Sequence, residues 1–170
     1  MHRIHIVGRK NSGKTTLIVE LVENLSRQGY RVGTMKHTHH HHELDTPGKD
    51  SHRHGDAGAT VVGILSPCMT AVFQRNDDVP TRDASRYDAM APMFVGCDLV
   101  LVEGDLQTHA PKIEVWHAAL LNPPITAEDS SISAIISDDI ASARVPIWKR
   151  SEIIVIVNGI LQLLNSVNDS

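Results

Sequence analysis

Residues 8–15 read Gly8-Arg9-Lys10-Asn11-Ser12-Gly13-Lys14-Thr15. The stretch matches G-x-x-x-x-G-K-[ST] at every fixed position. Glycine lets the backbone wrap a phosphate at a range where a Cβ would clash. Successive amides and the start of a helix point at the anion. The pattern therefore predicts a nucleotide phosphate held by Gly8, Asn11, Ser12, Gly13, Lys14, Thr15 and Thr16. Lys14 reaches the β- and γ-phosphates and is the first catalytic candidate, and the Thr15 hydroxyl binds Mg²⁺. A glycine-rich turn could match by chance, but here the flanks agree. "RIHIVG" before it reads as a buried strand. "KTTLIVELVENLSRQG" after it carries Leu17, Ile18, Leu21, Val22 and Leu25 at helical spacing and ends at Gly29.

Working outward, "YRVGTMKH" reads as a second strand, completing a βαβ unit of about 30 residues with a parallel, right-handed crossover. Residues 38–50 read as a loop, "KDSHRHGDAGA" as a short helix with His52 and His54 exposed, and "TVVGILS" with "CMTAVFQ" as a hairpin around Ser66-Pro67. "NDDVPTRD" is a loop and "ASRYDAMAPMF" a modest helix. "CDLVLVEG", "PKIEVWH", "ISAIISDD" and "ARVPIW" are strands. "SEIIVIVNGILQLLNSV" is a closing helix with Ile153, Ile154, Val157, Leu161 and Leu164 on its inner face. Strands alternating with helices predict a doubly wound α/β domain, a mostly parallel sheet flanked by helices.

Composition bounds the rest. A chain of 170 residues predicts one domain spanning 1–170, burying roughly 70% of its unfolded surface. A net charge of −4 and 4% aromatics give neither a basic footprint nor a stacking platform, so nucleic acid is not the expected partner. Cys68 and Cys97 form no Cys-x-x-Cys pair, which favours a reducing compartment. No secretory signal is read in "MHRIHIVGRK", and no run approaches ~20 apolar residues, so a cytoplasmic location off the membrane is expected.

A phosphate loop of this kind needs a second acid for its metal. Glu103 ends a strong buried strand, at the sheet edge where ligands of open α/β folds bind, and is the expected Mg²⁺ partner of Thr15. Asp98 begins the same strand and should lie at its far end. Base choice is open: Asn-Lys-x-Asp is absent, and Asp138 is either a carboxylate that accepts from guanine N1 and N2 or a turn acid. Asp45 and Asp50 either hold Mg²⁺-bound water, with Asp50 placing an attacking water, or serve a turn and a cap.

"GRKNSGKTTL", "MKHTHH", "DTPGKDS", "AGA", "DLVLVEG" and "PKIEV" occur in that order. Together they resemble the MobB family, P-loop GTP-binding accessory proteins of molybdopterin-guanine dinucleotide biosynthesis. The resemblance runs from the first strand to at least Val115. It implies a P-loop α/β domain of the branch that includes the nickel-insertion GTPases. It also implies a homodimer, GTP and Mg²⁺ as ligands, and hydrolysis that is slow at most. The implied partner is a MobA-type guanylyltransferase, which joins GMP to molybdopterin, with molybdopterin itself a further candidate. The family pattern marks Lys36, His37 and His40, in a run of five histidines over residues 37–42, as a substrate or partner loop, with Lys112 beside it. One departure stands out. The family usually carries an aromatic and a lysine after the Glu-Gly pair, where this chain has Asp105 and Leu106, which puts anion binding by that loop in doubt.

Two alternatives come from other classes. The histidine run suggests a nickel or zinc metallochaperone GTPase, though consecutive residues seldom converge on one ion and Cys68 and Cys97 lack the expected neighbours. A small-molecule kinase would need arginines over the phosphates, and only Arg82 and Arg86 offer themselves.

Overall fold

The computed structural model describes residues 1–38, 43–75, 85–140 and 142–168. In chain order the elements are β1 (Arg3–Val7), α1 (Lys14–Arg27), β2 (Val32–Lys36), α2 (Asp50–Asp56), β3 (Val61–Leu65), β4 (Thr70–Gln74), α3 (Ser85–Met90), β5 (Leu99–Glu103), β6 (Lys112–Val115), β7 (Ile132–Ile136), β8 (Ile147–Trp148) and α4 (Ile153–Asn168). They gather into two compact units, residues 1–38 with 84–170, and residues 39–83.

The first unit is a six-stranded sheet in the order β2-β5-β1-β6-β7-β8, parallel throughout. This is the α/β architecture the alternation predicts. Parallel neighbours need crossovers, and the crossovers cover the faces, so the strands read as continuous apolar runs. Side chains alternate across each strand. Ile4 and Ile6 of β1, Leu99 and Leu101 of β5 and Ile113 and Val115 of β6 point to the face covered by α1 and α4. On the other face Val100 and Val102 meet Tyr87 and Phe94. Leu17, Leu21 and Leu25 of α1 repeat every four residues and are fully buried.

Two elements differ from expectation. "ARVPIW" pairs only at Ile147–Trp148, because Pro146 has no N–H to give a ladder, although its carbonyl accepts from Ile135 N at 3.0 Å. The inner stripe of α4 is Ile156, Val157, Ile160 and Leu164. Ile154 is 55% exposed: once Ile156 and Ile160 face inward, the 3.6-residue period turns Ile154 outward.

In the second unit the hairpin forms as predicted, from Val61 opposite Gln74 to Leu65 opposite Thr70. Ser66 closes its turn, receiving Met69 N on Oγ at 3.0 Å. Asp45 Oδ1 accepts from Thr46 N at 2.7 Å and from Ser51 Oγ at 3.0 Å, so this acid organises the entry to α2. His52 is less exposed than expected, its ring lying 3.0 Å from Asp56 and 3.7 Å from Glu43. No helix among the described residues is long and apolar enough to cross a membrane.

Candidate functional site

The turn between β1 and α1 is a cradle. Gly8, Asn11 and Gly13 take φ of 144°, 64° and 89°, so the loop curls with three positive torsions in six residues. A Cβ on Gly8 would stand 2.5 Å from Val115 O and 2.7 Å from Ser12 Oγ. Asn11 carries its positive φ without being glycine, which asparagine tolerates better than most residues. Ser12 is buried, whereas Thr15 and Thr16 are exposed in the first turn of α1. The amides of that turn lack helical acceptors and form the open end of the cradle.

Lys14 closes it. Its ammonium donates to Gly8 O at 3.0 Å, Arg9 O at 2.7 Å and Ser12 Oγ at 3.4 Å. Burial holds its pKa below the ordinary lysine value; Glu103 opposes that pull and Lys36 adds to it. Two carbonyls and a hydroxyl thus hold the cation in a partly desolvated loop, with Glu103 the negative charge acting on it.

Register brings the acid to the cradle. β5 lies beside β1 and β2, with Glu103 opposite Ile6 on one side and Lys36 on the other. Thr15 Oγ1 donates to Glu103 Oε2 at 3.0 Å, and Lys36 Nζ lies 3.9 Å from Glu103 Oε1. A hydroxyl and a carboxylate converging at the start of α1 are hard oxygen donors of the kind Mg²⁺ takes, and the residues fit that ion. An apolar groove of about 400 Å³, lined in part by Ile18, Val19, Val22 and Met35, adjoins this corner.

Asp138 lies on the exposed loop after β7, where its Oδ1 accepts from Ser151 N at 3.3 Å and Ser151 Oγ at 3.0 Å. Asp139 braces the loop after β6 instead, accepting from Ala118 N at 2.8 Å. That loop carries His117, whose Nε2 lies 3.1 Å from Asn11 O in the cradle. Arg150, next to Ser151, clasps Glu20 of α1 with two bonds of 2.8 Å, and the carboxyl of Glu20 is held low mainly by that contact.

The remaining candidates lie as follows. Lys112 is buried and turned away from any phosphate role: its ammonium donates to Leu106 O at 2.8 Å and to Asp129 Oδ2 at 3.1 Å. Asp98 does sit at the far end of β5, accepting from Arg31 N at 2.7 Å. Asp50 belongs to the second unit, where its carboxylate is exposed at the start of α2. His40 and Arg82 lie outside the described residues, and among those described no group of three or more metal-ligating side chains forms.

Sequence reasoning passed over Ser151, His117, Glu114 and Tyr87, and it singled out Asp105 only as a departure from the family pattern, not as the partner of Tyr87. Glu114, fully buried, accepts from Ile125 N and Thr126 N at 2.7 Å each, capping the turn after Pro124. An acid inside an apolar strand such as "KIEV" is the one signal that could have exposed it, since buried carboxylates must be satisfied.

A phosphate cradle opening a helix, with a strand-end acid beside its threonine, defines a P-loop nucleotide-binding domain. The family model described as Molybdopterin guanine dinucleotide synthesis protein B, MobB, matches residues 3–138. The chain belongs to the MobB family. It is 33% identical over 135 residues, 78% of this chain and 72% of the relative, to the molybdopterin-guanine dinucleotide biosynthesis adapter protein of Haemophilus influenzae. It is 35% identical over 132 residues, 75% of this chain and 73% of the relative, to the protein of the same name in Escherichia coli. The crystal structure of Bacillus subtilis MobB superposes with a TM-score of 0.71 at 26% identity, covering 96% of this chain and 98% of that one.

Proposed function

We propose that this chain is a GTP-binding adapter of molybdopterin-guanine dinucleotide biosynthesis, acting on a MobA-type guanylyltransferase in the cytoplasm. The observation that carries the nucleotide reading is the 3.0 Å contact between Thr15 and Glu103 beside a lysine folded into its own cradle. Residues 8–16 hold the phosphates, Lys14 releases its three internal acceptors to bind them, and Thr15 and Glu103 hold Mg²⁺. The ion would neutralise phosphate charge and orient the terminal phosphate. Asp138, with one oxygen fixed by Ser151, reads guanine with the other, which adenine could not satisfy. The loop of Lys36 and His37 is the surface offered to partner or cofactor, Asp50 is the residue that would place an attacking water, and hydrolysis is slow at most.

Support for the adapter role comes from the relatives' names. The chain works as a homodimer. Val61, Leu65 and Val72 share one face of the hairpin and are 52%, 84% and 49% exposed, an apolar face that a second copy would cover. Equilibrium sedimentation should give twice the mass of one chain.

Calorimetric titration of the full chain with Mg-GTP, Mg-ATP and Mg-GTP against Lys14→Ala tests the core of the reading. GTP should bind and ATP only weakly. Lys14→Ala should lose affinity by about 100-fold, because several charge-assisted bonds go at once. Equal GTP affinity in the variant would sink the nucleotide assignment.

A further inference from the structure

The turn that follows Glu103 is built in an unusual way. Gly104 and Asp105 take φ of 94° and 66° in succession. Glycine does this freely, but Asp105 pays for a left-handed conformation and something must offset it. Its carboxylate, in a residue only 9% exposed, accepts from Tyr87 Oη at 2.7 Å and from Gln107 N at 3.1 Å. Tyr87 is itself buried, its ring 4.4 Å from the Arg3 guanidinium carbon and edge-on to His5 at 5.3 Å. The backbone of the same turn is pinned at three more points. Glu103 O accepts from His37 N at 2.9 Å, Gly104 N donates to Ile6 O at 2.9 Å, and Gly104 O accepts from His5 Nδ1 at 3.0 Å.

Burying a carboxylate, a phenol and a fully buried imidazole behind one turn is costly, and an apolar cluster would hold α3 to the sheet as well. What a polar cluster adds is direction. It fixes the peptide after Glu103, and that peptide sets where the Glu103 side chain points, toward Thr15 at 3.0 Å. We propose that Tyr87 and Asp105 are positioning residues for the metal acid: their hydrogen bond locks the turn behind Glu103 so that its carboxylate meets Mg²⁺ beside Thr15. This rests on the Mg²⁺ reading of Thr15 and Glu103.

The test is calorimetry of GTP binding to the full chain in EDTA and across graded MgCl₂, for the wild type, Tyr87→Phe and Asp105→Asn. Tyr87→Phe keeps the ring for Arg3 and His5 and removes only the hydroxyl. It should raise the Mg²⁺ concentration at half-effect by about ten-fold, the usual cost of losing an outer-shell partner, with GTP affinity in EDTA unchanged within about two-fold. Asp105→Asn keeps an acceptor and a residue tolerant of positive φ, and should shift the midpoint by about three-fold, since only the charge is lost. It carries the test alone if the phenylalanine variant melts out. Unchanged Mg²⁺ midpoints overturn the proposal, and so does an equal loss in EDTA, which would mark a brace of the fold only. If the wild type itself binds GTP no better with Mg²⁺, the reading of Thr15 and Glu103 falls, and this one with it.

Discussion

Two turns meet at the nucleotide corner, and they are held by different means. The cradle of residues 8–15 is bound largely from within: Ser12 N donates to Arg9 O at 3.2 Å, and Lys14 reaches back to Gly8, Arg9 and Ser12. The turn of residues 103–105 is bound from afar, by His5 at a separation of 99 positions and Tyr87 at 18. A self-contained turn can keep its shape while its surroundings change. A turn braced from three other elements reports on all of them.

Glycine replacement is the sharpest way to break this contrast. In Gly8→Ala the new Cβ meets a backbone oxygen of β6 at 2.5 Å with φ at 144°, and nothing nearby can step aside. Unfolding in urea should show a loss of about 3 kcal/mol or more. In Gly104→Ala the Cβ meets His37 O at 3.0 Å with φ at 94°, and the neighbour is the end of β2. The loss there should be about 2 kcal/mol, mostly torsional. If Gly104→Ala proves the costlier, the distant braces are stiffer than the cradle and the contrast reverses.

The same contrast decides what could be read in advance. Glycine, lysine and threonine at fixed spacing encode the cradle, because the contacts of Lys14 and Ser12 that shape it lie within eight residues and the chemistry allows few substitutes. The register that puts Glu103 beside Thr15 was legible too, since a buried strand ending in an acid places that acid at the ligand edge. Tyr87 and His5 carried no such mark. A tyrosine in "SRYDAM" and a histidine in "RIHIV" look like ordinary members of a weak helix and a strand, and only the sheet order β5-β1 brings them behind Gly104. Lys112 misled for the reverse reason. A lysine in a family-matched segment suggests phosphate, but its place opposite His5 turns it inward, to Asp129.

His5 offers the gentlest probe of the distant braces. Burial, reinforced by the charges of Arg3 and His37 and opposed by its bond to Gly104 and by Asp105, lowers its pKa from 6.5 to about 4. It is therefore neutral at pH 7. Since Gly104 O can only accept, Nδ1 carries the proton, and Nε2 is left as a buried lone pair with no hydrogen-bond partner among the described residues. The sign follows from proton counting. Between pH 6.5 and 4 the unfolded chain binds a proton at this site and the folded chain does not, so stability falls as pH falls. Asp105, whose carboxyl is held low by Tyr87 and the two histidines against the opposing pull of burial, gives up its own contribution only at lower pH. Urea unfolding at pH 7.5 and 5.5 should therefore differ by about 1 kcal/mol through His5, a little under one unit of full linkage. His5→Asn should remove that share of the slope, because asparagine donates to Gly104 without titrating. If the slope survives the substitution, the histidine is already charged in the fold, and the turn behind Glu103 is held by a cation rather than by a neutral donor.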